Sequence, residues 1–261
     1  MSFLEIFLFA LGLTACQTDV VHALEQRSLV ALDAALDGEH DDCPGGGTAL
    51  AFDGESTRLL VDLGGNLPTG NSARTVEMWA YVKPTSWAKD RHTLFEYGIN
   101  TLNHAFAVDM EVYPVMQIYS WDDDLFFDAG IVEEGWFHVA ASYDGKTLRA
   151  FINGSERGAK DMNNPLTTDQ TTVKIGWSPY TNAHFDGILD EVRLWNIARS
   201  SEEIAATMSV RLRGDEAWLV GYWRFDDGEG TMARDASIWG HDAVLEYGPS
   251  WVVSGVPLRC P

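Results

Sequence analysis

Three carboxylates that flank one short apolar run are the first candidates for chemistry in this sequence. Residues 185–204 read FDGILDEVRLWNIARSSEEI and contain Asp186, Asp190 and Glu191. Side chains of a strand alternate between its faces, which places Asp190 beside the apolar residues Ile188, Val192 and Leu194. An isolated buried charge is strongly disfavoured, so this carboxylate must be hydrogen-bonded, paired or bound to a cation.

The opposite face of the same strand would carry Leu189, Glu191, Arg193 and Trp195. Glu191 and Arg193 are two residues apart on that face, and we expect them to pair. Asp186 directly precedes Gly187, and a turn there would let its carboxylate cap backbone amides. The chain has no GxSxG, HExxH or CxxC segment, which disfavours a serine nucleophile or a zinc site.

The overall charge excludes one large class of partner. Asp and Glu outnumber Lys and Arg 39 to 18, giving a formal net charge of -21. A nucleic-acid backbone or an anionic lipid surface would be repelled, whereas divalent cations would be attracted. The hydrophobic fraction of 46% is enough for a sizeable core in a chain of this length.

Residues 1–16 are interpreted as a lipoprotein-type signal peptide. Their apolar stretch is too short to span a bilayer, and Leu13-Thr14-Ala15-Cys16 resembles the bacterial lipobox, in which the Cys is lipidated. The segment lacks a basic residue before its apolar core and contains Glu5, so an ordinary hydrophobic N-terminus is the alternative. The prediction is an exported protein, lipid-anchored at Cys16 in the bacterial cell envelope.

The two other cysteines are expected to form a disulfide in that oxidising compartment. Cys43 precedes the first predicted strand and Cys260 is the penultimate residue. Chain ends often lie close together in compact domains, so this bridge would join them. A metal-binding or catalytic thiol is the less favoured alternative.

Residues 17–44 form an acidic segment with near-helical apolar spacing, which predicts a helical tether. The main domain is expected to span residues 45–261. From residue 48 onward, short apolar or alternating runs are broken by turn formers about every ten residues, the pattern of an all-β sandwich. Asp144-Gly145 and Asn153-Gly154 mark hairpins. Ser200 and Glu203 form a capping box, which predicts one short helix in SSEEIAATM.

Six segments in this order resemble the LamG-like jelly-roll family of the concanavalin A-like lectin and glucanase superfamily. They are ALAFDGESTRLLV, TVEMWAYVKP, WFHVAASYDGKTLRAFINGSERG, VKIGWSP, FDGILDEVRLWNIARSSEEI and LVGYWRFDDGEGTMARDASIWGHDAVL. The resemblance implies two antiparallel sheets packed face to face, one of them concave. It also implies that the last segment pairs near the N-terminal strand.

The resemblance favours recognition over catalysis. Glucanases of the superfamily carry an E-x-D-x-x-E pattern that this sequence lacks. Many relatives recognise glycans or proteins through rim loops, so we expect a non-catalytic glycan-binding module of the cell envelope. A protein-binding adhesion or assembly module and a glycoside hydrolase are the alternatives. The candidate ligand-binding residues combine aromatic rings with acids in predicted loops: Trp121, Asp122, Asp123, Asp124, Trp87, Trp177 and Tyr180.

A structural calcium ion is also implied by the resemblance, because many relatives hold one near a sheet edge. Asp53 in the first strand and Asp190 in the late strand are the residues that would correspond. Oxygen ligands and an acidic chain suit this cation. The pentraxin-type calcium loop is not matched, since the segment WSPYTNAH after KIG contains no acid.

Overall fold

The computed structural model describes residues 47–82, 91–131 and 134–259. The predicted lipidation site Cys16, the cysteine pair Cys43 and Cys260, the tether helix and Trp87 lie outside these residues. Within them, no helix is long and apolar enough to cross a membrane.

Nearly all regular secondary structure in the described residues is β-strand. The strands are β1 (Thr48–Asp53), β2 (Arg58–Val61), β3 (Arg74–Val82), β4 (His92–Gly98), β5 (Ala105–Met110), β6 (Val115–Tyr119), β7 (Leu125–Asp128), β8 (Gly135–Tyr143), β9 (Thr147–Ile152), β10 (Ser155–Asp161), β11 (Val173–Ile175), β12 (Asp186–Trp195), β13 (Leu219–Trp223), β14 (Met232–Ala233), β15 (Ala243–Glu246) and β16 (Ser250–Val253). One α-helix, α1 (Ser201–Thr207), and one 3-10 turn (Gly64–Asn66) accompany them.

The strands form two antiparallel sheets of eight strands each, as a jelly-roll sandwich requires. Sheet 1 has the order β10-β9-β8-β3-β12-β1-β16, with β13 also paired to β12. Sheet 2 has the order β14-β15-β2-β11-β4-β5-β6-β7. The last resembling segment, residues 219–245, returns near the N-terminal strand as expected, because the Thr48 hydroxyl of β1 donates to the Phe225 carbonyl and β15 pairs with β2. The following strand β16 pairs with β1 itself.

The facing sides of the two sheets bury one large hydrophobic cluster. It includes Leu50, Val76 and Leu189 from sheet 1 and Phe106 and Ile118 from sheet 2, all fully buried. Each such side chain contributes about 1.5–3 kcal/mol when it leaves water. The alternating sequence pattern of the strands therefore produces the sandwich, and it leaves two outer faces.

The predicted hairpins and helix are confirmed. Asn153 and Gly154 both have positive φ, of 50° and 75°, at the turn between β9 and β10. A Cβ on Gly154 would lie 2.7 Å from the Cβ of Ala205, so α1 can approach this turn only because the residue is glycine. Ser200 caps α1 through the N–H of Glu203, whose side chain accepts from the Ser200 N–H.

The alternation predicted for β12 is wrong at one residue. Glu191 has a φ of 52°, and the register with β3 shifts between Asp190 and Arg193, which defines a β-bulge. Leu189 and Val192 both reach the core. The extra residue therefore places Asp190 on the outer face of sheet 1, and not among the core side chains as predicted.

Asp190 nevertheless has partners in this buried position. Its carboxyl accepts hydrogen bonds from the Ser254 hydroxyl and from the Glu191 N–H. Burial raises the pKa of Asp190 to about 9, so the group is protonated at neutral pH.

The predicted turn at Asp186 is wrong, because this residue begins β12 opposite Asp53 of β1.

Other charged residues on this outer face hold α1 in place. Arg199 Nη1 donates to Glu77 Oε1 over 2.6 Å, and Trp195 Nε1 donates to the same oxygen over 2.9 Å. The predicted pair is confirmed, because Arg193 Nη2 lies 2.6 Å from Glu191 Oε2. Arg193 also donates to two backbone carbonyls at and beyond the end of α1.

The two ends of the described domain meet at Arg211. Its N–H donates to the Arg259 carbonyl over 2.8 Å. At the other end, a Cβ built on Gly47 would lie 3.5 Å from Arg211 Nη2. This arrangement favours the proposed bridge between Cys43 and Cys260, which stays a prediction.

Candidate functional site

A row of side chains crosses four adjacent strands on the outer face of sheet 2. Lys174 of β11 lies opposite Glu96 of β4, Glu96 opposite Ala107 of β5, and Ala107 opposite Tyr119 of β6. Directly opposed residues of antiparallel strands point to the same side. Their neighbours along each strand belong to the core, so these four residues, the cross-strand row, face away from it.

A second row lies beside the first, with Asp109 and Gln117 each two residues along the strand from Ala107 and Tyr119. Arg91 contacts both its acidic and its amide side chain. Asp109 of β5 lies opposite Thr93 of β4 and Gln117 of β6. Arg91 Nη2 donates to Gln117 Oε1 over 3.1 Å, and Arg91 Nη1 is 3.9 Å from Asp109 Oδ2. The guanidinium also lies 5.5 Å from the ring centroid of Tyr119, which joins the two rows.

Several polar atoms of these rows are buried without a hydrogen-bond partner. Within the described residues, Glu96 Oε1, Asp109 Oδ1 and the Tyr119 hydroxyl lack one. The three residues are 1%, 1% and 5% exposed. Buried polar groups are nearly always satisfied in proteins, so these three atoms call for a partner, such as an ordered water or a ligand. The hydroxyls of a polyol could supply the missing partners.

Burial also shifts the proton affinities of this face. Burial, together with the neighbouring Glu96 carboxylate, raises the pKa of Asp109 to about 8. Burial raises the pKa of Glu96 as well, with Ser178 and Lys174 opposing the shift. A protonated Asp109 at neutral pH can both donate and accept hydrogen bonds, as sugar hydroxyls require.

Trp121 flanks the cross-strand row at the end of β6. Its ring packs edge-on against Tyr119, with centroids 5.4 Å apart and planes at 82°. It also contacts Ala105 and Ala107, and it is half-buried. Trp121 and Asp122 have φ of 66° and 86°, a left-handed backbone that is uncommon for residues other than glycine. This left-handed turn orients the indole.

The three acids after Trp121 differ in their surroundings. Asp122 is exposed. Asp123 is buried, lies 2.7 Å from Lys160 Nζ and accepts from Asn163 Nδ2 over 2.8 Å. Asp124 accepts from Gln117 Nε2 over 2.7 Å and from a backbone N–H. Asp123 and Asp124 are therefore positioned to shape the turn and to orient Gln117.

Tyr180 and Trp177 lie on the β11 side. The Lys174 ammonium is 5.6 Å from the Tyr180 ring centroid, so Tyr180 borders the cross-strand row opposite Trp121. Trp177 instead stacks on the Arg58 guanidinium, 4.0 Å from its ring centroid. The structure thus brings Trp121 and Tyr180 to opposite ends of one row, and it places Trp177 in a separate contact group.

The two residues expected to hold calcium do not form one site. Asp53 faces Asp186 in the ladder with β12, and Asp190 lies four residues further on, about 13 Å along the strand. Partial burial of Asp53 would raise its pKa, but the N–H groups of residues 55–57 hydrogen-bond its carboxylate and hold the pKa well below its usual range. No cluster of three or more His, Cys, Asp or Glu residues suited to a metal occurs in the part of the chain that the structure describes. Calcium binding stays a prediction without an assigned ligand set.

The acids and the tyrosine of the two rows are not marked as site residues by any motif in the sequence. Glu96, Asp109 and Gln117 lie in HTLFEYG, AFAVDM and VMQIYSW, segments whose pattern is typical of strands. Their signal was the alternation in AFAVDM and VMQIYSW, where Ala107 and Asp109, and Gln117 and Tyr119, occupy every second position. That alternation predicts an outer face, but not that its polar residues are buried.

Known proteins resemble the chain in fold and in a short sequence segment. The mouse protein pappalysin-1 is 32% identical over 81 residues, which span 29% of this chain but only 5% of that relative. A structure from Bacteroides ovatus, described as that of a candidate carbohydrate binding protein, superposes with a TM-score of 0.66 at 18% identity, over 82% of this chain and 62% of that one. A heptameric SAP-like pentraxin from Limulus polyphemus gives a TM-score of 0.53 at 12% identity, over 81% and 97% of the two chains.

These similarities agree with the two-sheet architecture and with the predicted family. A laminin-G-type model, described as that of the concanavalin A-like lectin/glucanases superfamily, matches residues 53–205, more than half of the sequence. The chain therefore belongs to the concanavalin A-like lectin/glucanase superfamily.

Proposed function

We propose that this chain is a non-catalytic carbohydrate-binding module whose ligand lies on the outer face of sheet 2. The observation that carries the proposal is the set of buried, unpartnered oxygens on Glu96, Asp109 and Tyr119 within the described residues. They lie between two aromatic side chains, Trp121 and Tyr180. The resemblance in fold to a structure described as a candidate carbohydrate binding protein supports the same class of ligand.

The polar and the aromatic side chains of this face would contact different parts of a sugar ring. Carboxyl and hydroxyl oxygens would orient the ring by accepting from and donating to its hydroxyls. Trp121 and Tyr180 would cover the apolar faces of rings at the two ends of the row.

The proton affinities favour binding over hydrolysis. A glycosidase needs one protonated and one ionised carboxyl, so its two pKa values are pushed apart. Here burial raises the pKa values of both Glu96 and Asp109. A glycoside hydrolase remains the alternative, because two carboxyls do face the same side from adjacent strands. Release of nitrophenol from a panel of nitrophenyl glycosides would support that alternative.

A glycan array probed with the full chain, followed by calorimetry on the best ligand, tests the proposal. Tyr119→Phe removes only the hydroxyl, and we expect about fivefold weaker binding, since one hydrogen bond contributes about 1 kcal/mol. Glu96→Gln should weaken binding at least as much. Glu156→Gln is the matched control, because this exposed residue lies on β10 of sheet 1.

Two results would contradict the proposal. An array without any hit would favour a protein-binding adhesion or assembly module. Wild-type affinity in both Tyr119→Phe and Glu96→Gln would remove this face as the site, even if the chain binds a glycan.

The proposed setting is the bacterial cell envelope, with the module held by lipid at Cys16. This part rests on the resemblance of Leu13-Thr14-Ala15-Cys16 to the lipobox. Globomycin, which blocks the lipoprotein signal peptidase, should cause the precursor to accumulate in a bacterial host. Unchanged processing would contradict the lipid anchor.

A further inference from the structure

Two tryptophan side chains are exposed, although large aromatic rings are usually well buried in folded proteins. Trp218 directly precedes β13, and Trp239 lies between β14 and β15. Trp218 is 61% exposed and Trp239 is 48% exposed. They are neighbours in space, because Trp239 Nε1 donates to the carbonyl of Leu219 over 3.0 Å. Neither residue belongs to the site proposed on sheet 2.

The backbone holds both rings in fixed positions. Trp218 has a φ of 72°, a left-handed conformation that is costly for a bulky residue. Its carbonyl accepts from the Asn196 N–H over 3.0 Å, which fixes the turn. The indole N–H of Trp239 is used by the protein itself, so the exposed part of that ring is apolar. Backbone strain that turns an aromatic ring toward solvent points to a use for the ring.

We propose that Trp218 and Trp239 form a second carbohydrate-contact surface, in which each indole stacks on the apolar face of a sugar ring. Exposed Asn196 donates its backbone N–H to the Trp218 carbonyl, and exposed Asp215 follows Gly214, whose carbonyl accepts from the Ile238 N–H. Both side chains would hydrogen-bond hydroxyls of the saccharide. The ligand class rests on the proposed function, whereas the place of contact rests on these residues alone.

The size of the surface favours a short saccharide over a protein. A large aromatic side chain buries at most about 250 Å², so the exposed parts of the two indoles amount to roughly 270 Å². Ile238, 70% exposed, adds a smaller apolar area beside them. A stable protein interface needs about 800 Å² from each partner. One or two sugar rings match the available area, and a protein partner does not.

Native affinity electrophoresis of the full chain tests the proposal, because the net charge of -21 drives migration without detergent. The gels contain laminarin, xylan, soluble arabinan or galactan, and the glycan array serves as a second readout. At least one saccharide should bind the wild type. Trp218→Ala and Trp239→Ala should each lower the apparent affinity about five- to tenfold. Trp218→Phe keeps a ring and should stay within about threefold of the wild type.

Tyr247→Ala is the matched control, because Tyr247 is also an exposed aromatic residue with positive φ, at 67% exposure and 59°. It lies after β15 of sheet 2, and its removal should leave retardation unchanged. Circular dichroism of each variant verifies folding. Tyr119→Phe and Glu96→Gln are run in parallel to separate the two sites.

The outcomes are distinct. Wild-type binding by folded Trp218→Ala and Trp239→Ala, or no saccharide bound at all, overturns the proposal. A concentration-dependent dimer in sedimentation that Trp218→Ala abolishes would identify a second copy as the occupant and also overturns it. Weaker binding by the tryptophan variants, with full binding by both Tyr119→Phe and Glu96→Gln, supports this surface and refutes the proposed site on sheet 2.

Discussion

Replacing Asp109 by Asn should change how the stability of the protein depends on pH. Asp109 is 1% exposed, and burial raises its pKa from the ordinary 3.8 to about 8. Between about pH 4 and pH 8, the Asp109 carboxyl therefore carries a proton in the folded protein but not in the unfolded chain. A raised carboxyl pKa therefore costs stability as the pH increases through this window.

The magnitude follows from the size of the shift. Each pH unit within the window costs about 1.4 kcal/mol, and the full displacement amounts to roughly 6 kcal/mol above pH 8. The amide that replaces the carboxyl in Asp109→Asn cannot ionise, so the variant escapes this cost. The free energy of unfolding of Asp109→Asn, minus that of the wild type, should rise by several kcal/mol between pH 5 and pH 8.

Urea unfolding followed by tryptophan fluorescence at pH 5, 6, 7, 8 and 9 measures this difference. Asp215→Asn serves as the control, because Asp215 is exposed and its variant should run parallel to the wild type at every pH. A constant difference between Asp109→Asn and the wild type across pH 5–8 would refute the reasoning. It would mean that the Asp109 carboxyl is already ionised, and hence solvated or paired, in the folded state.

Four further predictions test the fold and the site. Trp121→Ala should weaken glycan binding by about 1–3 kcal/mol while lowering the melting temperature only modestly, because the ring is half-buried; unchanged affinity with a sharp loss of stability would make it a packing residue. Gly154→Ala should destabilise by about 1–2 kcal/mol, owing to its positive φ and its approach to α1, whereas Gly65→Ala, which faces open space, should be neutral in thermal unfolding. Non-reducing peptide mapping should find Cys43 joined to Cys260, and reduction should then cost about 2–5 kcal/mol; two free thiols would exclude the bridge. Thermal melting should shift by several degrees on chelation if a structural calcium ion is bound, and coincident curves would argue against the ion.

The parts of the fold that depend on local chemistry could be predicted from the sequence. The hairpin at Asn153 and Gly154 needs residues that tolerate positive φ. The helix cap at Ser200 needs a hydroxyl and an acid three residues later. Both requirements can be recognised directly in the sequence. The bulge at Glu191 was missed because a glutamate at positive φ gives no such signal. The bulge depends on the pairing of β12 with β3 and β13 and on the packing of α1 against this face. These are tertiary contacts that a local sequence pattern does not reveal.

The candidate site was predicted in part, for a similar reason. Trp121 was identified as an aromatic residue beside acids, and the structure places it at the end of the cross-strand row. The carboxylates of Asp123 and Asp124 have partners inside the protein, on segments that are remote in sequence or on a neighbouring strand. No pattern in WDDD distinguishes an acid that faces a ligand from one that holds a turn together.

The outer faces of the two sheets differ in how their buried acids are paired. Both faces bury charged side chains, so burial alone does not mark a binding site. On sheet 1, Glu77 and Glu191 each have an arginine nitrogen 2.6 Å away, and those arginines also fasten α1 to the sheet. On sheet 2, Asp109 has its arginine only at 3.9 Å, and the Tyr119 hydroxyl has no hydrogen-bond partner within the described residues. The pairing on sheet 1 is incomplete as well, since Glu77 Oε2 and Glu191 Oε1 lack a hydrogen-bond partner within the described residues. The two faces therefore differ in how closely their acids are paired with arginine, and the looser pairing of Asp109 supports the proposal that a ligand with hydroxyl groups binds on sheet 2.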